Sequence, residues 1–291
     1  MAGKFVLQVV GITEATILHR PSLKCPDVNV LSDVLITKDN KEVLAHTPSM
    51  GCDGLAETDA CVFVALCPPE EDELSIATNG EQFTHTVFLS KFKESEENEQ
   101  IIGINPNVAM EIMESAIEKN LMKILPPVKQ FKRNVPMRLE GKVDSAFSFV
   151  GICNDNIPFI MEVKNVPLAD YEDITAKERA KMDFSNRDFN SKVAYFPDGY
   201  RKKSSDPVSP RALKHIRELT LIKSETNTRC IMCYVIQRTD ANRFQPSVID
   251  PEYRNAFKEA INAGVEIITM VVKWTKQGEA YFVRDDLPIS L

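Results

Sequence analysis

The stretch Ile157-Pro-Phe-Ile-Met-Glu-Val-Lys-Asn-Val166 sets two opposite charges in a run that otherwise reads as buried β-strand. Side chains two apart on a strand share a face, so Glu162 and Lys164 project together while Phe159, Met161 and Val163 project the other way. An unpaired charge in a core is costly, so the pair either reaches solvent at an edge or lines a site that uses charge. A second apolar run, Val143 to Ile152, precedes it, and Cys153-Asn-Asp-Asn156 between them reads as the turn of a β-hairpin. In that first strand Val143, Phe147 and Phe149 alternate with Asp144, Ala146 and Ser148. Bringing the two apolar faces together requires an odd-length loop or a bulge. With one parity kept along the strand, that register carries Asp144 onto the face of Glu162 and Lys164, above Ala146 and Ser148.

Outward from the hairpin, the hydrophobic period changes on both sides. Asn105-Pro106 supplies an N-cap and a first-turn proline, and Ala109, Ile112, Met113, Ala116, Ile117 and Leu121 then make one apolar helical stripe. Pro126-Pro127 ends it, and Lys129, Lys132, Arg133 and Arg138 read as a basic linker. Residues 169 to 194 are polar without clear period, as expected of a long loop or partly ordered insertion. Ser209-Pro210 opens a second helix with Leu213, Ile216, Leu219 and Ile222 inward and Lys214, Arg217 and Glu218 outward. Cys230 to Gln237 is a strand. Asp250-Pro251 caps a third helix closed by Gly264, and Val265 to Trp274 is another strand. The order helix, hairpin, helix, strand, helix, strand is α/β. Residues 4 to about 93 instead show short β-rich runs with turn residues between them, the spacing of a small barrel or sandwich. We place two domains at 1–80 and 81–291.

The chain has 291 residues, ample for a core. No apolar run approaches membrane-spanning length. Seven cysteines, an odd number without small-domain spacing, predict free thiols and an intracellular, cytoplasmic setting, with the nucleus also open. Cys230-Ile-Met-Cys233 sits in a strand, where positions i and i+3 face opposite ways, so it reads as core. The net charge of −7 arises entirely from residues 1–80, which carry five Lys/Arg and twelve Asp/Glu. The rest is balanced and has local basic stretches, which count for more than the total in nucleic-acid binding.

Asp144, Glu162 and Lys164 together supply two carboxylates for a hard cation, Mg²⁺ or Mn²⁺, and an ammonium for an attacking water or a phosphate oxygen. The plain alternative is a solvated Glu-x-Lys pair on an amphipathic strand. For a fourth acidic group we choose Glu114 over Glu111. Gln237, ending an apolar strand, is a polar positioner or a core-edge amide. His46 reads as a structural hydrogen-bonding group, and His215, beside Lys214, as a phosphate contact or a solvent-facing side chain.

Several ordered motifs extend this reading. Ala45-His-Thr-Pro-Ser-Met-Gly51, Ile102-Gly-Ile-Asn-Pro-Asn107, Glu162-Val-Lys-Asn-Val-Pro-Leu168, Tyr195-Phe-Pro-Asp198, Arg211-Ala-Leu-Lys-His-Ile-Arg-Glu-Leu219, Val235-Ile-Gln-Arg238 and Ile249-Asp-Pro-Glu-Tyr253 stand in one order along the chain. In these the sequence resembles the sugar fermentation stimulation protein A family, as a divergent member. The resemblance implies an N-terminal OB-like β-barrel and a C-terminal PD-(D/E)XK nuclease-like α/β domain in a DNA-binding protein. It matches Asp144 to the family's hairpin aspartate and Glu162 and Lys164 to its ExK. The chain departs from the pattern at Ser49-Met-Gly-Cys52, where an arginine is usual, and at Lys142, which stands in place of another. The expected function is DNA binding with a Mg²⁺-dependent phosphodiesterase site in which Asp144 and Glu162 hold metal. The alternative is a non-catalytic DNA-binding or regulatory protein on the same fold. DNA is the expected partner ahead of RNA, and Lys142, Arg201, Lys202, Lys214 and Arg217 are the expected phosphate contacts.

Overall fold

A computed structural model describes residues 3–47, 54–67, 83–139, 141–197 and 207–291. In chain order, β1 (Lys4–Gln8) leads to β2 (Thr13–His19), β3 (Leu31–Ile36), β4 (Lys41–His46), β5 (Cys61–Leu66), β6 (His85–Lys93) and β7 (Glu99–Gly103). Helix α1 (Pro106–Glu118) follows, then β8 (Val128–Leu139), β9 (Val143–Cys153) and β10 (Pro158–Val166). Next come β11 (Ala169–Asp170), the one-turn α2 (Ala176–Arg179), β12 (Lys192–Phe196), α3 (Pro210–Glu225) and β13 (Arg229–Ile236). The chain finishes with β14 (Ala241–Pro246), α4 (Pro251–Asn262), β15 (Glu266–Trp274) and β16 (Glu279–Arg284).

The fold is mixed α/β, with three sheets among the described residues. A seven-stranded sheet runs β1-β16-β15-β13-β10-β9-β8, with β10, β13 and β15 parallel at its centre. A six-stranded sheet runs β4-β3-β2-β5-β6-β7, and β4 also pairs with β6, so five strands return on themselves. A small sheet, β11-β12-β14, lies beside them. The three long helices start the same way: Asn105, Ser209 and Asp250 each accept a hydrogen bond from a first-turn N–H, and a proline occupies the next position. Gly264, at φ +90, ends α4 in the left-handed region.

The central strands are buried on both faces, as parallel strands covered by helices must be. On one face α1 packs over Phe159, Met161, Val163 and Cys233. On the other, α3 and α4 pack over Ile160, Val166, Cys230 and Tyr234. Cys230 and Cys233 thus point into opposite cores, and burial pushes the Cys230 thiol up to about 12.

Several expectations give way here. The basic stretch after Pro127 is not a linker but β8, a twelve-residue strand at the edge of the large sheet. Exposed Lys, Arg and Pro suit an edge, which must not offer itself for further pairing, and they mask the strand in sequence. Strands β4 and β7 are also additional to those expected. Of the two readings of residues 169–194, the partly ordered insertion is the one seen: β11 and α2 lie within it and β12 begins there.

Three residues, 154–156, separate Cys153 from Ile157, and the Cys153 N–H closes the turn by donating to Ile157 O at 3.0 Å, with Asn156 at φ 63. It pairs Phe159 with Gly151 and Met161 with Phe149, the odd-length solution. Parity does not persist along β9, however. Phe149 and Cys153 belong to the α1 side, whereas Phe147 and Val143, also odd-numbered, belong to the α3 side. Strand β8 switches at the same level. Phe131 and Arg133 face α1, Met137 and Leu139 pack toward α3, and Asn134 between them has φ 50. The β8–β9 ribbon therefore exchanges faces at Asn134 and Ser148.

Candidate functional site

Ser148, at the exchange point, decides the geometry around Glu162. Ladder pairing between β10 and β9 ends at Met161 and Phe149, and the strands part beyond it. The Glu162 carboxylate fills the gap: Oε2 accepts from Ser148 N at 3.1 Å and Ser148 Oγ at 2.9 Å. The Val163 N–H donates to Ser148 Oγ at 3.0 Å. On the other oxygen, Oε1 accepts from Lys164 Nζ at 2.6 Å and lies 2.5 Å from His215 Nδ1. A contact that short needs a proton between the atoms, so Nδ1–H donates to Glu162. The 3.2 Å approach of Lys164 Nζ to the same nitrogen is then a side-by-side contact. Glu162 and His215 are both buried, and the Lys164 side chain is 11% exposed.

Burial works to raise the Glu162 carboxyl. The His215 hydrogen bond and the Lys164 charge outweigh it and hold the group at about 2, against an ordinary 4.5. Burial pushes the Lys164 ammonium down, and Glu162 opposes that shift. Helix α3 supplies His215, whose ring also lies 5.6 Å from that of Phe147. His215 shares a helix face with Ala212, Leu219 and Ile222, all buried, at spacings of three, four and seven. That periodicity was the available signal for an inward histidine. Glu218, expected outward, is buried as well: its Oε1 accepts from Asp144 N at 3.1 Å, and its Oε2 has no hydrogen-bond partner among the described residues.

The structure does not bring Asp144 to this centre. Beyond the face exchange its side chain is 79% exposed and lies 3.4 Å from Arg138. Only its backbone meets α3, through Glu218 and through Lys214 Nζ, which donates to Asp144 O at 2.7 Å. Glu114 is on α1, across the sheet from Glu162, and pairs with Arg133 at 2.7 Å. Gln237 is buried on the face away from Lys164, where its Nε2 donates to Asn165 Oδ1 at 2.5 Å and its Oε1 accepts from Trp274 Nε1 at 2.8 Å. His46 stacks on Phe83. Lys142 pairs with Glu225 and Arg217 with Glu252, both at exposed positions. Arg201 and Lys202, like the Ser49–Cys52 loop, lie outside the described residues.

These neighbours do not fit a two-carboxylate metal site. Glu162 alone contributes a carboxylate, and four donors already occupy its oxygens. Among the described residues no group of three or more His, Cys, Asp or Glu is arranged to hold a metal ion.

The family model described as "Sugar fermentation stimulation protein RE domain" matches residues 183–278, the span that carries α3 and β13 to β15. Sugar fermentation stimulation protein homologues match over most of the chain. One from Shewanella denitrificans is 26% identical over 249 residues, covering 85% of this chain and 87% of the relative. One from Ruegeria pomeroyi is 25% identical, covering 83% and 86%. Over most of its length the chain is similar to sugar fermentation stimulation proteins, at the low identity of a divergent relative. A shorter stretch is 43% identical to a homologue from Jannaschia sp., covering 25% of this chain and 30% of that one. The fold agrees with that of Pyrococcus furiosus SfsA, solved in complex with Ca²⁺: TM-score 0.70, 18% identity, and 99% of each chain covered. Among the described residues no helix is long and apolar enough to cross a membrane.

Proposed function

We propose that this protein binds nucleic acid, DNA ahead of RNA, along the basic edge of its large sheet, and holds it without cutting it. The observation that carries this reading is β8. It is a twelve-residue edge strand bearing Lys129, Lys132, Arg133 and Arg138, and Lys129 and Lys132 are exposed with no acidic partner among the described residues. Cations in that state are available for phosphate oxygens, and phosphate contacts supply most sequence-independent affinity. Lys142 and Lys214 lie together at the other end of the β8–β9 ribbon from Lys129 and Lys132, and in this reading they, with Arg201, Lys202 and Arg217, add to the phosphate-binding surface. In this reading the chain has two units: an OB-like barrel, for which the pairing of β4 with β6 is the support, and a PD-(D/E)XK nuclease-like unit around β10. The test is binding of a fluorescent duplex over a salt series, with Lys129→Glu/Lys132→Glu as the comparison. Weak, salt-insensitive or mutation-insensitive binding would count against the edge strand.

One observation favours a second reading, metal-dependent phosphodiester hydrolysis at Asp144, Glu162 and Lys164: the Pyrococcus furiosus relative was solved with Ca²⁺. Mg²⁺- or Mn²⁺-dependent cutting that disappears in Glu162→Ala and Asp144→Ala proteins would establish it.

A further inference from the structure

We infer that the Glu162 centre of this chain is a metal-independent clasp joining β9, β10 and α3, in which Ser148 holds the position that a second carboxylate would need. An ionised carboxylate offers about four acceptor positions. Here they meet Ser148 N, Ser148 Oγ, Lys164 Nζ and His215 Nδ1, all within 3.1 Å. A dication at Oε1 would have to displace a buried ammonium or a buried imidazole. At Oε2 it would break the two bonds that replace the ladder where β9 and β10 part. The β9 residue across from Glu162 is Ser148, and the face exchange at Asn134 and Ser148 turns Asp144 to the opposite side of the ribbon. The other buried carboxylate on α3, Glu218, is spent on the Asp144 backbone. The chain therefore keeps the charged strand of a nuclease-like site while using its carboxylate to hold two strands and a helix together. This inference goes beyond nucleic-acid binding and stands or falls separately from it, because its test contains no nucleic acid.

The experiment is thermal unfolding of the full chain in MgCl₂, MnCl₂ or CaCl₂ series, each matched for ionic strength with NaCl. Wild type, Glu162→Gln and Ser148→Asp proteins are compared. A ligand that binds only the folded state raises Tm in a saturable, concentration-dependent way. The inference expects no saturable rise in the wild type, or a rise that Glu162→Gln leaves unchanged because the ion sits elsewhere. It expects Ser148→Asp, which puts a carboxylate across from Glu162, to gain a saturable Mn²⁺-dependent rise. A wild-type rise abolished by Glu162→Gln overturns it, as does a folded Ser148→Asp protein that gains no rise, because Ser148 would then not be what the site lacks. Loss of fold in Ser148→Asp leaves the wild-type and Glu162→Gln comparison to decide.

Discussion

Glu162 accepts bonds from the Lys164 ammonium, the His215 imidazole and both donors of Ser148, and it does so where water scarcely reaches. Its contribution to stability follows from its titration. Because the folded carboxyl is held at about 2 and an ordinary one titrates near 4.5, the stabilisation is full above about pH 4.5 and is lost as the pH falls toward 2. That difference corresponds to roughly 3 kcal/mol at most, and the depressed pKa of Lys164 subtracts from it at neutral pH. Glu162→Gln is expected to unfold more readily at pH 7 and to lose less further stability between pH 4.5 and pH 2 than the wild type. Chemical denaturation across that range checks this, and parallel curves for the two proteins would contradict it. At this scale the sequence is legible where a charge interrupts an apolar strand, which is how Glu162 and Lys164 stand out. It is illegible where two elements meet. Nothing local in Lys214-His-Ile shows that His215 reaches Glu162, and nothing in Asp144-Ser-Ala-Phe-Ser148 marks the exchange that turns Asp144 away.

At the scale of elements, the hairpin, the three proline-led helices and the parallel strands were readable, because capping residues and unbroken apolar runs are local signals. Strand β8 was not. Its pattern is charged and irregular because it is an edge, and Asn134 breaks its alternation in step with Ser148 on the partner strand. The same features that conceal it suit phosphate contact. If Lys129 and Lys132 each neutralise a phosphate, their double reversal should lower the slope of log K against log salt by about 0.9 per lost contact. Measurement over a salt series separates this from a general loss of fold, which would remove binding without a graded slope.

At the scale of the molecule, the six- and seven-stranded sheets meet where Gly103 lies under Gln237 and Trp274. The Gly103 N–H donates to Gln237 O at 3.2 Å, and a Cβ on Gly103 would fall 2.0 Å from Gln237 Oε1 and 2.4 Å from Trp274 Nε1. Gly103→Ala should therefore cost about 1–3 kcal/mol through overpacking. It should also change the fluorescence of Trp274, the chain's single tryptophan. Unchanged emission and stability would show that the seam has room to adjust. Gln237 reads in sequence as either positioner or core-edge amide, and only the meeting of two sheets gives it this bridging role.

A second long-range tie is Lys192, buried beside Glu94 at 3.2 Å and Asp240 at 3.3 Å, with its Nζ 3.6 Å from the Phe189 ring centroid. Lys192→Met removes a buried ion-pair partner, a change that costs about 3 kcal/mol or more. Because Arg238 still pairs with Asp240, the loss should fall on the insertion, with faster limited proteolysis between residues 176 and 191 than in the wild type. An unchanged cleavage rate would contradict the tie.

The most direct test of the whole account is an assay of the wild-type protein on labelled duplex DNA in EDTA and in Mn²⁺, reading binding across a salt series and strand integrity in the same tubes. The account predicts binding that weakens linearly in log salt, is the same in EDTA and Mn²⁺, and leaves the DNA intact. Cutting in Mn²⁺ that Glu162→Gln abolishes, or no binding at low salt, would contradict it.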